Sequence, residues 1–277
     1  MRKVVLAPGV ESSVLGFGCA PILGAVGAAQ ARKAIACALD LGVNHFDVAR
    51  CYGYGDAEKF VGGELKRRRD EVVIASKCGL EATGLARAMR PAKPLVRWLR
   101  PTRRPAHPEP KQGVSQRKSP LLRSVPITAR SMVKSVEQSL RALGTDYLDI
   151  LFLHEPSWGS LPLQEVAETA AGLKREGKIR AFGAAFYRGS QSFGDSPQDI
   201  FDVLQFDAPS PSKESDALRR ERGDRANVLF SPFVGADPHV NPSDILGRLW
   251  REFPRSVVLC SMFNPDHIRH NAALAVQ

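Results

Sequence analysis

The chain has 277 residues, 43% of them hydrophobic and 25% charged, so it is long enough to bury a sizeable core as a single domain spanning 1–277. It holds no run of 18 apolar residues, and MRKVVLAPGVESS lacks the apolar stretch of a signal peptide, so neither a membrane span nor export is expected. The formal net charge of +10 is local, because residues 81–130 carry 12 lysines and arginines against only Glu81 and Glu109, and the rest of the chain is balanced.

Five cysteines (Cys19, Cys37, Cys51, Cys78 and Cys260) stand singly, with no CxxC pair and no paired His/Cys spacing. That pattern argues against a disulfide framework and a structural metal site, and it suits a reducing, cytoplasmic compartment. No nucleic-acid-binding motif accompanies the basic segment, so no nucleic-acid partner is expected.

Taken in order, KVVLAPGVESSVLG reads as a hairpin-like pair, and SVLGFGC (13–19) as the first strand of a repeating pattern. ARKAIACALDLG puts Ala31, Ile35, Ala38 and Leu39 on one helical face and stops at Gly42, and VNHFD (43–47) and EVVIASK (71–77) follow as buried strands. Residues 81–127 hold eight of the 20 prolines and no periodicity, so they read as a long basic insertion, partly disordered or draped over the surface. Inside it PLVRWLRP, with Trp98, reads as an amphipathic turn able to dock on the barrel as a lid, on an acidic partner or on an anionic membrane surface.

Beyond the insertion, ARSMVKSVEQSLRALG carries Met132, Val136, Leu140 and Leu143 on one face and ends at Gly144. YLDILFLH (147–154) follows, then LQEVAETAAGLKREG, IRAFGAA (179–185), DVLQF (202–206), NVLFS (227–231) and SVVLCS (256–261), with weak helical patterns near 190–200 and 212–222. Eight apolar strands alternating with helices predict an α/β fold with a parallel sheet, and the number eight predicts a closed (β/α)8 TIM barrel behind an N-terminal β-hairpin.

In such a barrel the active site lies at the C-terminal ends of the strands. Asp47 ends the second strand, with Tyr52 in the glycine-rich turn after it and Tyr54 as a rival; Lys77 ends the third strand and His154 the fourth. A phenol, with a reference pKa of about 10, is a poor acid unless a cation steadies its anion, and a lysine held charged by an aspartate is such a cation. With a histidine to hydrogen-bond an oxygen, the four make a device for protonating a developing alkoxide.

The chain resembles the aldo-keto reductases over most of its length outside the insertion. The resemblance rests on DVARCYGYGDAE, IASKCG, SLRALGTDYLDILFLHEP and GKIRAFG. It implies carbonyl reduction with Tyr52 as general acid, Lys77 lowering its pKa, Asp47 paired with Lys77, and His154 orienting the substrate. It also implies a nicotinamide cofactor, NADP(H) before NAD(H), bound without the GxGxxG loop that this sequence lacks. By family position Gly18, Cys19, Ala20 and Asp47 would lie at the nicotinamide end. Gln205 would meet the carboxamide, Phe230 the ring, Ser231 and Phe233 the pyrophosphate, and Met262, His267 and Asn271 the adenosine end.

The chain also departs from the family. Gly183-Ala184-Ala185-Phe186 stands where a serine contact is usual, Ser261, Met262 and His267 replace the usual lysine and arginine clamp, His270 replaces a glutamate, and the segment 234–243 is short. The basic insertion points to a substrate that is anionic or carrier-tethered. Two other readings are a cofactor-sensing subunit that turns over slowly and a barrel that docks an anionic partner through the insertion.

Overall fold

The computed structural model describes residues 1–92, 119–188, 198–209, 213–222, 224–237 and 239–276. Most of the basic insertion, with Trp98, lies outside the described residues, as does much of the weak helical pattern near 190–200.

The barrel strands are short runs of mostly apolar residues with side chains covered on both faces, which an all-parallel sheet requires. In chain order the strands are β1 (Lys3–Ala7), β2 (Val10–Ser13), β3 (Leu15–Gly18), β4 (His45–Asp47), β5 (Val73–Cys78), β6 (Leu80–Ala82), β7 (Leu122–Ser124), β8 (Leu148–His154), β9 (Ile179–Phe186), β10 (Val203–Asp207), β11 (Asn227–Phe230) and β12 (Ser256–Cys260). Eight of them close in the order β10-β11-β12-β3-β4-β5-β8-β9, every pair parallel, so the expected (β/α)8 barrel is the fold.

The helices are α1 (Ala28–Asp40), α2 (Ala57–Leu65), α3 (Gly84–Ala88), α4 (Ala129–Leu143), α5 (Leu163–Arg175), α6 (Lys213–Arg222), α7 (Pro242–Glu252) and α8 (Pro265–Leu274). The strongest periodic segment has the best-made ends. Thr128 accepts from the Ser131 amide, Ser131 answers toward the Thr128 amide, and Gly144 closes α4 in the left-handed region at φ 68°. The pattern near 212–222 is the helix α6, whereas that near 190–200 leaves only a short 3-10 turn at Gln198–Ile200 among the described residues.

The expected N-terminal hairpin, β1 paired antiparallel with β2, closes the N-terminal end of the barrel. Its Leu6, Ala7 and Val10 pack with Val73, Ile150, Val228 and Val257, which belong to the inward rows of the barrel. Because side chains alternate along a strand, these rows run upward two residues at a time. On β5 the row is Val73, Ala75, Lys77; on β8 it is Ile150, Phe152, His154; on β4 it is His45, Asp47. An apolar floor therefore carries a polar rim, and the same period that buries Ala75 lifts Lys77 into the mouth.

Candidate active site

At the C-terminal end of the barrel lies a cavity of about 470 Å³, within the range of small-molecule sites, and Asp47, Tyr52, Lys77 and His154 all line it. Lys77 and Asp47 are both almost wholly buried, with the ammonium Nζ 2.5 Å from Asp47 Oδ1 and donating also to the Val48 carbonyl at 3.1 Å. The other carboxylate oxygen accepts from Gln205 Nε2 at 2.8 Å. Asp47 is thus gripped from two strands, and the lysine that it fixes sits 5.1 Å from the centre of the Tyr52 ring.

Tyr52 reaches the cavity from an unusual turn. It begins a 3-10 segment, Tyr52–Gly55, in which Gly53, Tyr54 and Gly55 all have positive φ (58°, 60° and 88°). Glycine enters this region freely, but for Tyr54 it costs about 1–2 kcal/mol. No side chain would fit at Gly53, where a Cβ would meet the Ile22 carbonyl oxygen at 2.7 Å. Tyr54, spent on this turn, does not line the cavity. The Tyr52 ring instead stands edge-on to His154, with centroids 6.2 Å apart, and His154 Nδ1 lies 3.9 Å from Cys51 Sγ.

Electrostatics correct one expectation. Burial and the Asp47 carboxylate push the Tyr52 phenol well above its ordinary value, where the sequence reading has Lys77 lowering it. Loss of water is the larger cause, and the Asp47 charge adds to it in the same direction. The Tyr52 phenol accordingly keeps its proton across the neutral range. Burial and the Lys77 charge hold His154 well below the usual histidine range, so it is a neutral imidazole with one N–H to give. Burial pushes Cys51 and Cys78 up to about 12, which keeps both thiols protonated and unreactive.

Gly18, Ala20, Gln205, Phe230, Ser231, Phe233, Met262, His267 and Asn271 line the same cavity. Cys19 does not: its side chain is fully buried in the core, with Sγ toward the Phe17 carbonyl at 3.7 Å, and only its backbone serves, tying β3 to β4 through a bond to the Asp47 carbonyl at 2.9 Å. Gln205 Oε1 is buried without a hydrogen-bond partner among the described residues, so a donor such as a carboxamide nitrogen would satisfy it. That orphan oxygen, the adjacent Phe230 ring and a wall of small residues at Gly18 and Ala20 fit a nicotinamide. At the far end Asn271 Nδ2 donates to Met262 Sδ at 3.3 Å, while His270 is tied to Ser243 Oγ at 2.7 Å and does not line the cavity.

Several lining residues escaped the sequence reading, Glu155, Phe186 and Tyr187 among them. Glu155 follows His154 with φ 52° and its carboxylate accepts from the Tyr187 amide at 3.2 Å; Phe186 ends β9; Tyr187 follows it and meets Phe230 edge-on at 4.9 Å. Their signal is position, since each stands at or one residue past the end of a barrel strand.

A family profile described as "Aldo/keto reductase family" matches residues 14–191. Among curated relatives, aldo-keto reductase YhdN of Bacillus subtilis (strain 168) is 30% identical over 183 residues, covering 64% of this chain and 44% of that protein. The NADH-specific methylglyoxal reductase of Escherichia coli (strain K12) is 32% identical over 157 residues, covering 52% and 37%. The matching stretch thus spans less than half the length of these relatives. Among solved structures, an aldo-keto reductase from Klebsiella pneumoniae in complex with NADPH superposes with TM-score 0.68 at 20% identity, covering 100% of this chain and 90% of that one. The holo form of an aldo-keto reductase from Bacillus halodurans gives TM-score 0.67 at 22% identity, covering 100% and 90%, and the likeness is one of fold.

Proposed function

The chain belongs to the aldo/keto reductase family, and from that premise we propose that it interconverts an aldehyde or ketone and its alcohol with a nicotinamide cofactor, NADP(H) before NAD(H). The observation that carries this reading is the convergence of Asp47, Tyr52, Lys77 and His154 on one cavity whose wall also presents the open Oε1 of Gln205. Gln205 would hold the carboxamide, Phe230 the ring, Ser231 and Phe233 the pyrophosphate region, and Met262, His267 and Asn271 the adenosine end. When bound, such a cofactor supplies or accepts a hydride.

This chain's own residues do the rest. Tyr52, kept protonated, gives its proton to the substrate oxygen as negative charge gathers there; neutral His154 donates a hydrogen bond to the same oxygen and sets its direction. The Lys77 ammonium, fixed by Asp47, meets the charge left on the phenol, and it does so without reorganising, because both partners are already locked in place. The basic segment 81–127 makes an anionic or carrier-tethered carbonyl compound the substrate class to test first.

The test is binding of NADPH and NADH followed by turnover of a panel of aromatic and anionic aldehydes by wild type and Tyr52→Phe. Retained cofactor binding with kcat down by roughly a hundredfold or more in Tyr52→Phe is expected, the scale of a lost general acid. Binding without turnover of any aldehyde would favour the cofactor-sensing reading instead, and equal turnover by both proteins would remove Tyr52 from the proton-donor role.

A further inference from the structure

The basic segment meets the Tyr52 turn directly. Its first residues form β6 and its return forms β7, paired antiparallel from Leu80↔Ser124 to Ala82↔Leu122. Thr83 caps α3 by accepting from the Ala86 amide, and a 3-10 turn at Arg90–Ala92 follows. This stem packs on the underside of the Tyr52 turn, where Ala49, Cys51 and Leu80 form a small buried cluster with Tyr52 and Leu122 against it.

Polar contacts complete the junction. Arg90 Nε donates to the Tyr54 carbonyl at 3.1 Å, and its guanidinium pairs with Asp56 at 3.0 Å, so one side chain spans the left-handed run at residues 53–55. A Cβ at Gly55 would stand 3.0 Å from that guanidinium, so the glycine also gives Arg90 its room. On the other side of Tyr52, Arg50 pairs with Glu58 at 3.3 Å and reaches Glu81 of β6 at 3.9 Å, and Glu81 is held by Arg123 of β7 at 2.8 Å.

We propose that Arg90 is a positioning residue for Tyr52: it clamps the strained turn from the stem of the basic segment and so fixes the phenol against Lys77 and His154. This rests on the reading of Tyr52 as proton donor. A planar, five-donor guanidinium suits the task, because its fork reaches a carbonyl through Nε and a carboxylate through a terminal nitrogen in one fixed plane. Without it the turn keeps its glycines but loses a side-chain clamp on Tyr54, which sits in the left-handed region.

The experiment measures NADPH-dependent reduction of 4-nitrobenzaldehyde by the full chain as wild type, Arg90→Ala, Arg90→Gln, Tyr52→Phe and the double variant Arg90→Ala/Tyr52→Phe, with hydrogen exchange at residues 52–56. In Arg90→Ala, kcat should fall roughly ten- to hundredfold, as small misplacements of a reacting group do, with KM for the aldehyde and Kd for NADPH held. Exchange at 52–56 should quicken, Arg90→Gln should fall between wild type and Arg90→Ala, and in the Tyr52→Phe background the substitution should cost nothing further. Unchanged kcat in Arg90→Ala, or an equal loss in the Tyr52→Phe background, would overturn the proposal. If Arg90→Ala folds poorly, the same comparison is made with Arg90→Gln. Should Tyr52→Phe alone turn over like wild type, the proton-donor reading falls instead, and exchange at 52–56 still reports whether Arg90 holds the turn.

Discussion

Lys77 and Asp47 have given up almost all contact with water to hold each other, so neither is replaceable alone. Lys77→Met should strand a buried carboxylate and lower stability by about 3–5 kcal/mol, whereas adding Asp47→Asn should return part of that loss, since two neutral groups are cheaper to bury than one unpaired charge. Urea denaturation of the two single variants and the double variant measures this; additive losses would mean that the pair is not coupled. The same residues show what a sequence discloses at this scale. Asp47, Lys77 and His154 were legible because each closes an apolar strand, where a charge has little other reason to stand. Glu155 and Tyr187 were not, because their direction depends on the turn beyond the strand, and Glu155 makes that turn with φ 52°. Nor was the direction of the Tyr52 shift, which burial and the Asp47 charge set together and only geometry reveals.

Elements were legible wherever a period or a boundary marked them. The α4 stripe ends at a glycine, and all eight barrel strands fall within the apolar runs or a residue of their ends. Between 190 and 200 neither period nor stop signal is strong, and there the reading was weakest. Closer packing between elements leaves almost no trace in sequence. Gly183 on β9 is one case: a Cβ there would lie 2.1 Å from the Val203 carbonyl oxygen and 2.8 Å from the Phe152 ring. Gly183→Ala should therefore push β9 away from β10 and displace Phe152, the residue below His154, with a loss of roughly 1–3 kcal/mol or more by overpacking. Thermal unfolding measures the loss, and a Tm equal to that of wild type would show that the barrel can yield at this point.

The whole molecule titrates through its floor. His45 is fully buried beneath Asp47, with Nδ1 2.9 Å from Ser12 Oγ of the hairpin and Nε2 without a partner among the described residues, and burial holds its pKa down to about 4 from an ordinary 6.5. Between these values the unfolded chain takes up a proton that the folded chain refuses, so stability is full above pH 6.5 and falls as the pH drops toward 4. The loss at the acid end is on the order of 3 kcal/mol. Melting of wild type and His45→Gln between pH 7 and 4 isolates this contribution: the variant should be flatter, and parallel curves would place the acid sensitivity elsewhere, with buried His154 the next group to examine.

The hairpin that seats Ser12 against His45 also settles how traffic moves through the barrel. Leu6, Ala7 and Val10 stopper one end, so among the described residues the barrel is a cup, and what enters above Lys77 leaves by the way it came. Two ligands sharing such a cup queue: the one that sits deeper arrives first and departs last, and a lingering product bars the door to the next arrival.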